Sequence, residues 1–124
     1  MRNTAVAASL ALMTCLPAMA QQAQEQYRLH TATELARVCA SPASASDHVS
    51  AIAFCHGVLA GAYGYHAAST SAAERLVCPP TPSVTRTQVA NGFVAWLQSH
   101  PQYNNDGAVD ALFRFAAAAY PCKR

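Results

Sequence analysis

Residues 47–68 read DHVSAIAFCHGVLAGAYGYHAA, and residues 48–73 contain neither a proline nor a formally charged side chain. Set on a helix, this stretch has one apolar face and, opposite to it, one face of small residues. The apolar face is formed by Ile52, Cys55, Leu59 and Tyr63, and the small face by Ser50, Ala53, Gly57, Gly61 and Gly64. A helix that is apolar nearly all round has to be covered nearly all round. The stretch therefore predicts the central helix of a small all-α domain.

Three glycines lie inside this predicted helix, where each costs about 1 kcal/mol relative to alanine. The close approach of another backbone would offset that cost. We therefore expect Gly57, Gly61 and Gly64 to serve helix packing within the domain. A seam between two copies of the chain is the alternative use of the same stripe.

A membrane span is the rival interpretation of this segment, because residues 49–68 are long enough to cross a bilayer and contain a G-x-x-x-G motif. His56 inside the stretch and Cys55 beside it count against a span. Three further amphipathic segments also need an apolar surface on which to pack. The prediction is a buried helix and no insertion into a membrane.

The first twenty residues have the pattern of a secretory signal. Arg2 precedes an apolar run over residues 5–16, and an A-x-A cleavage site ends at Ala20. A lipoprotein attached at Cys15 is the weaker alternative, because the residues before that cysteine lack the usual small side chain. We predict a signal peptide over residues 1–20, a mobile lead-in over residues 21–30 and one domain over residues 31–124.

Charge and cysteine content narrow the classes of function. Without the signal, seven basic and six acidic residues remain and do not cluster, so no nucleic-acid partner is expected. The four remaining cysteines, an even number in a small exported chain, predict two disulfides. Three connectivities are open to Cys39, Cys55, Cys78 and Cys122. We favour Cys39–Cys55, which would tie the first helix to the central one, and Cys78–Cys122. The second bridge would tie the proline-rich strap of residues 78–82 to the end of the last helix.

Capping-box patterns mark the starts of two further helices, Thr31 with Glu34 and Thr85 with Gln88. The second of these helices should end at His100 and Pro101. A last helix is expected after a cap at Asn105 or Asp106. Its predicted inward residues are Val109, Leu112, Phe113, Ala116 and Tyr120. Together these segments predict an all-α domain of four or five helices, stapled by two disulfides.

Catalytic and metal-binding patterns are not evident in the sequence. Cys55 and His56 are adjacent and so point in different directions from a helix, and a nucleophilic cysteine has to be a free thiol. The histidines lack the i, i+3 or i, i+4 spacing of metal ligands: His30, His48, His56, His66 and His100. We expect no catalytic residues, no metal and no cofactor.

Several motifs in fixed order carry a resemblance to a known family. They are F-C-x-G at residues 54–57, C-x-P at residues 78–80, A-x-P-C at residues 119–122 and V-x-x-W-L-x-x-H-P, which residues 93–101 (FVAWLQSHP) match except for Phe93 at the first position. Over about residues 32–122 the chain resembles the Rap/Tai-type immunity proteins of bacterial type VI secretion. The resemblance implies an all-helical periplasmic protein, often a dimer, that binds and blocks a toxin. The implied toxin is a peptidoglycan amidase with a catalytic cysteine, injected by sister cells.

An exposed loop that plugs the toxin's cleft would suit such an inhibitor, and residues 99–107 are the best candidate. The partner-binding candidates are His100, Tyr103, Asn104, Asn105 and Asp106. An ordinary helix connection is the alternative for this loop. Two other functions fit the same build: a periplasmic stress chaperone that senses acid through its histidines, and a small-ligand carrier or enzyme subunit with a pocket between helices.

Overall fold

The computed structural model describes residues 27–123. In that part of the chain there are four α-helices, one 3₁₀ turn and no strands. The helices are α1 (Ala32–Cys39), α2 (His48–Ser69), α3 (Arg86–Ser99) and α4 (Ala108–Ala119), with the 3₁₀ turn at Pro101–Tyr103. The predicted all-α fold is confirmed. The predicted signal peptide and most of the predicted lead-in lie outside the described residues.

The described end of the lead-in is packed against the domain. The ring of Tyr27 lies 4.9 Å from that of Phe54, and Leu29 packs on the core. The His30 amide donates to the Glu34 carboxylate (2.6 Å), and the His30 carbonyl accepts from Ala108 (3.2 Å). Residues 27–30 of the predicted mobile lead-in (residues 21–30) therefore contact the domain.

Two helices, α1 and α3, pack on all three of the others, although α1 has only eight residues. Both halves of its predicted capping box are present: the Thr31 hydroxyl accepts from the Glu34 amide, and the Glu34 carboxylate accepts from the Thr31 amide. Its inward residues are all fully or nearly fully buried: Ala32, Leu35, Val38 and Cys39. The helix predicted to be central, over residues 47–68, packs closely on two of the others, α1 and α3.

The longest helix, α2, is covered on one face only. Ala51, Cys55 and Leu59 are buried against α1 and α3. The glycine stripe faces away from the domain, and a Cβ built at Gly57, Gly61 or Gly64 meets nothing within 4 Å. The expected packing of these glycines inside the domain is therefore wrong, because the other helices all gather on the opposite face. Within residues 27–123, no helix is both long and apolar enough to cross a bilayer.

The last helix begins later than its sequence suggested. Gly107, rather than Asn105 or Asp106, occupies the N-cap position of α4. With this start, Val109 is 47% exposed, so its predicted inward position is wrong. The buried residues of α4 are Ala108, Ala111, Leu112, Phe115 and Ala116. The helix is rotated from the predicted phase so that small residues meet α1 and the ring of Phe115 meets that of Phe93, at 6.0 Å.

Both preferred disulfides are present. Cys39–Cys55 joins α1 to α2 with a Cα–Cα distance of 5.2 Å, and Cys78–Cys122 joins the strap to the residues after α4 with a distance of 4.9 Å. The Cys78 amide also donates to the Tyr120 carbonyl (2.9 Å). The predicted connectivity is thus confirmed, and the strap is fixed at the end of α4 by covalent and hydrogen bonds.

Candidate functional site

The loop between α3 and α4, residues 99–107, is held by a stack of three rings. The Trp96 ring lies 4.6 Å from that of His100 and 5.3 Å from that of Tyr103, and the Trp96 and Tyr103 planes are inclined by only 5°. The Nδ1 of His100 lies 2.7 Å from the Trp96 carbonyl oxygen, which can only accept, so this nitrogen carries the proton. Aromatic pairs of this kind contribute beyond their buried area. The first half of the loop is therefore anchored to α3.

The second half of the loop caps the first helix. The Asp106 carbonyl accepts from the Ala32 amide (2.9 Å), and the Asn104 carbonyl accepts from both the amide (3.2 Å) and the hydroxyl (3.0 Å) of Thr33. The first amides of a helix have no partner within the helix itself. Backbone carbonyls of the loop satisfy two of them here, which ties the loop to the N-terminus of α1.

A charged cluster borders the same loop. Arg114 donates from Nε to the Asp110 carboxylate (2.9 Å), lies 3.6 Å from the Asp106 carboxylate and places its guanidinium 5.2 Å from the centre of the Tyr103 ring. The hydrogen bond to Asp110 is the main cause that raises the pKa of Arg114, and the charges of Asp110 and Asp106 act in the same direction. Arg114 therefore stays protonated and keeps the acidic edge of the loop partly neutralised.

The five predicted partner-binding residues differ in what they offer to a partner. Asn105 is exposed, whereas His100, Tyr103, Asn104 and Asp106 are half-buried and also hold the loop in place. Four exposed residues of the loop were not among the candidates: Ser99, Pro101, Gln102 and Gly107. Arg114 was missed as well, although its i, i+4 spacing from Asp110 is a sequence signal for an ion pair. The loop presents a narrow polar tip on a rigid base.

A second accessible surface is the open face of α2, formed by the glycine stripe and the residues beside it. Val49 is 80% and Tyr65 77% exposed. No aspartate, glutamate, lysine or arginine lies between residues 48 and 69. This surface is apolar, uncharged and flattened by its three glycines. Large exposed apolar surfaces are typical of interaction sites.

The described residues offer little to a nucleophilic or metal-dependent mechanism. Cys55 is bonded to Cys39 and so is not a free thiol. The Nε2 of neighbouring His56 is buried without a hydrogen-bond partner in the described part of the chain. Over residues 27–123, histidine, cysteine and acidic side chains do not gather into a group of three or more that could hold a metal ion. The loop and the open face of α2 are both suited to binding.

Comparison with known proteins identifies one family. The model of the family described as Rap1a immunity proteins matches residues 31–122. The matched region includes all four helices, both disulfides and the loop of residues 99–107. No curated protein and no solved structure matches the chain.

Proposed function

The chain belongs to the Rap1a immunity protein family, which implies that it binds a cognate toxin, and on this premise we propose a specific target and site of action. It is a periplasmic immunity protein that inhibits a peptidoglycan amidase delivered by type VI secretion, and it has no catalytic activity of its own. The observation that carries the proposal is the family match over residues 31–122, which takes in the whole helical domain.

The covalent structure supports action outside the cytoplasm. Two disulfides and membership of this family fit an extracytoplasmic location, since disulfides persist in oxidising compartments. The signal-peptide pattern of residues 1–20 would direct the chain there. Peptidoglycan, the substrate of the proposed toxin, lies in the periplasm, so the inhibitor and the enzyme would meet in the same compartment.

The test is a lysis experiment with a candidate amidase encoded beside the gene. The amidase is expressed with a periplasmic leader, with and without this chain. We expect the full chain to prevent lysis and a version lacking residues 1–20 to fail, because it would stay apart from the toxin. An amidase whose catalytic cysteine is replaced by alanine serves as the control for harmless expression. Lysis at an undiminished rate in the presence of the exported chain would refute the proposal.

The loop of residues 99–107 is the proposed contact with the toxin cleft. Its ring stack and its hydrogen bonds to α1 fix the backbone before binding. A rigid loop loses little conformational entropy on binding, which favours affinity. Asn105 and Gln102, exposed at the tip, would supply hydrogen bonds in the cleft, while Tyr103 would support them from below.

A charge placed at the tip tests this contact. Asn105→Arg should weaken inhibition of the amidase by roughly tenfold or more, since an unpaired charge would be buried in the complex. Asn91→Arg, at an exposed asparagine in the middle of α3, is the matched control and should leave inhibition unchanged. The measurement is amidase activity at increasing inhibitor concentration. Equal inhibition by both variants would exclude the loop as the contact.

The open face of α2 is proposed as a seam between two copies of the chain. Its glycines let two helix backbones approach closely, and the exposed Val49 and Tyr65 would be covered. Because residues 48–69 carry no formal charge, two identical faces would meet without charge repulsion. A two-fold arrangement needs such a self-complementary patch.

The molecular mass of the chain in solution tests the proposed seam. Gly61→Phe should shift the chain from dimer to monomer in analytical ultracentrifugation, because the ring would separate the two backbones. Ala95→Phe, at an exposed position of α3, is the matched control and should stay dimeric. If the unsubstituted chain sediments as a monomer at every concentration, the seam is wrong. If Gly61→Phe lowers toxin inhibition without changing the mass, the face belongs to the toxin contact instead.

A further inference from the structure

A cavity of about 320 Å³ lies among four parts of the chain. They are the second half of α2, residues 77–84 (which include the strap), the start of α3, and α4. We call it the strap cavity. Its walls are largely apolar, with Leu59, Tyr63, Val89, Leu112, Phe113 and Tyr120 among the residues that line it. A water molecule takes up about 30 Å³ in the liquid, and pockets for small molecules begin at about 300 Å³. The strap cavity is therefore at the lower end of the range for a small organic ligand.

The fold keeps this cavity from closing. The backbones of α2 and α4 approach each other at few points. The contact between the rings of His66 and Phe113 leaves the space beside Leu59 and Tyr63 open. The strap that bridges them is held at the end of α4 by the Cys78–Cys122 disulfide and by the bond from the Cys78 amide to the Tyr120 carbonyl. Pro79 and Pro80 stiffen it next to the cavity. The cavity is thus part of the fixed architecture.

One solvent-exposed cation is among the residues that line this apolar cavity. Arg86 is the only lining residue with a formal charge, and it pairs with no acidic group within residues 27–123. It occupies the first position of α3, where the helix dipole disfavours a positive charge. The guanidinium therefore has no acidic partner in the described part of the chain, and its planar donors suit a carboxylate.

We infer that the strap cavity binds a small amphipathic monocarboxylate, with its apolar body among the side chains of α2 and α4 and its carboxylate on Arg86. This assigns the chain a ligand site in addition to the proposed toxin contact. The apolar walls select the body of the ligand and the lone cation selects the sign of its charge. A ligand with a cationic head would meet Arg86 as a like charge.

The test uses octanoate as the probe and needs no toxin, so it succeeds or fails apart from the immunity function. Octanoate is titrated into the oxidised full chain, and amide chemical shifts are followed by NMR. We expect saturable shifts confined to residues 59–63, 77–89 and 112–120. Octylammonium should cause none of them, and 1-octanol should bind roughly tenfold more weakly than octanoate, having no charge-assisted hydrogen bond.

Two substitutions test separately the charge of Arg86 and the open volume of the strap cavity. Arg86→Gln should weaken octanoate binding by roughly tenfold while leaving the thermal midpoint unchanged or higher, since it removes a cation from a helix N-terminus. Arg37→Gln, at an exposed position of α1, removes the same charge away from the cavity and should leave binding intact. Ala62→Phe, which fills the cavity from α2, should abolish binding of both octanoate and 1-octanol.

Three results would overturn the inference. Equal affinity for octanoate and 1-octanol, unaffected by Arg86→Gln, would remove the role of the cation. Shifts spread over the whole domain or confined to the open face of α2 would place the ligand elsewhere. The chain is also diluted in the absence of octanoate. If the amide signals of the cavity residues then move, a second copy of the chain occupies the cavity.

Discussion

The two capping boxes differ in one ionisable group. Glu34 closes the box at α1, whereas the uncharged Gln88 closes the box at α3. Hydrogen bonds from the backbone amides of Thr31 and His30 lower the pKa of Glu34, the Thr31 bond most. A carboxylate whose pKa is lowered by folding stabilises the fold above its ordinary pKa, about 4.3 for glutamate. That contribution is lost as the pH falls through the folded-state pKa.

Exchanging the two residues tests this account. Glu34→Gln keeps an amide oxygen that accepts the same bonds, so the free energy of unfolding should vary less with pH below about pH 4.3. Gln88→Glu should add acid sensitivity in the same range, because the Thr85 amide would then bind a carboxylate. Urea unfolding at a series of pH values measures both. Parallel pH profiles for the natural chain and both variants would contradict the assignment.

A buried histidine holds the loop that leaves α2. His66 is 8% exposed, its Nε2 accepts from the Leu76 amide (3.2 Å), and its ring lies 5.1 Å from that of Phe113. His66→Ala would leave the Leu76 amide without this partner and remove the ring contact. We expect a loss of about 2 kcal/mol in the free energy of unfolding. His30→Ala, at an exposed histidine, is the control and should change it by less than about 0.5 kcal/mol.

At the scale of helices, two glycines in equivalent local settings should respond in opposite ways to alanine. A Cβ at Gly61 of α2 meets nothing within 4 Å, whereas a Cβ at Gly92 of α3 would lie 2.9 Å from Cζ of the buried Phe115 ring. Gly61→Ala should therefore stabilise the monomer by up to about 1 kcal/mol. Gly92→Ala should destabilise it by about 1 kcal/mol or more, since overpacking outweighs the gain in helix propensity.

Denaturant unfolding of the two glycine variants, at a concentration where the chain is monomeric, decides the matter. The comparison is internal, because the substitution is the same and both positions lie inside helices. A stabilised Gly92→Ala would mean that the Phe115 ring moves aside at little cost. A destabilised Gly61→Ala would mean that α2 is covered by part of the chain after all.

For the molecule as a whole, the two disulfides should make unequal contributions. They close loops with sequence separations of 16 and 44 residues, for which the chain-entropy model gives about 3 and 4 kcal/mol. Replacing Cys78 and Cys122 by alanine should also free the strap and abolish octanoate binding. Replacing Cys39 and Cys55 should lower stability, through the lost bridge and lost core packing, without removing the cavity. Urea unfolding and the octanoate titration of each pair test both statements.

Features that depend on neighbouring residues were predicted correctly, whereas several features that depend on distant parts of the chain were not. Capping boxes are local, so both were predicted to the residue, and the apolar face of α2 was predicted correctly at Cys55 and Leu59. The start of α4 was not, because the backbone of residues 104–106 is taken up by α1 and Gly107 is left as the cap. The candidate loop was found from its polar residues, but its role as a cap for α1 had no local signal.

The sequence by itself determined the helical segments, the presence of two disulfides and, through ordered motifs, the family. These properties depend on residues that are close in the chain or on spacings that recur among related chains. Only the tertiary structure decided the pairing of the cysteines, the packing of α1 and α3 on every other helix, the openness of the glycine stripe and the cavity that remains beneath the strap. An apolar helix face predicts that something covers it but not what does so, because burial depends on how all the helices share a limited surface.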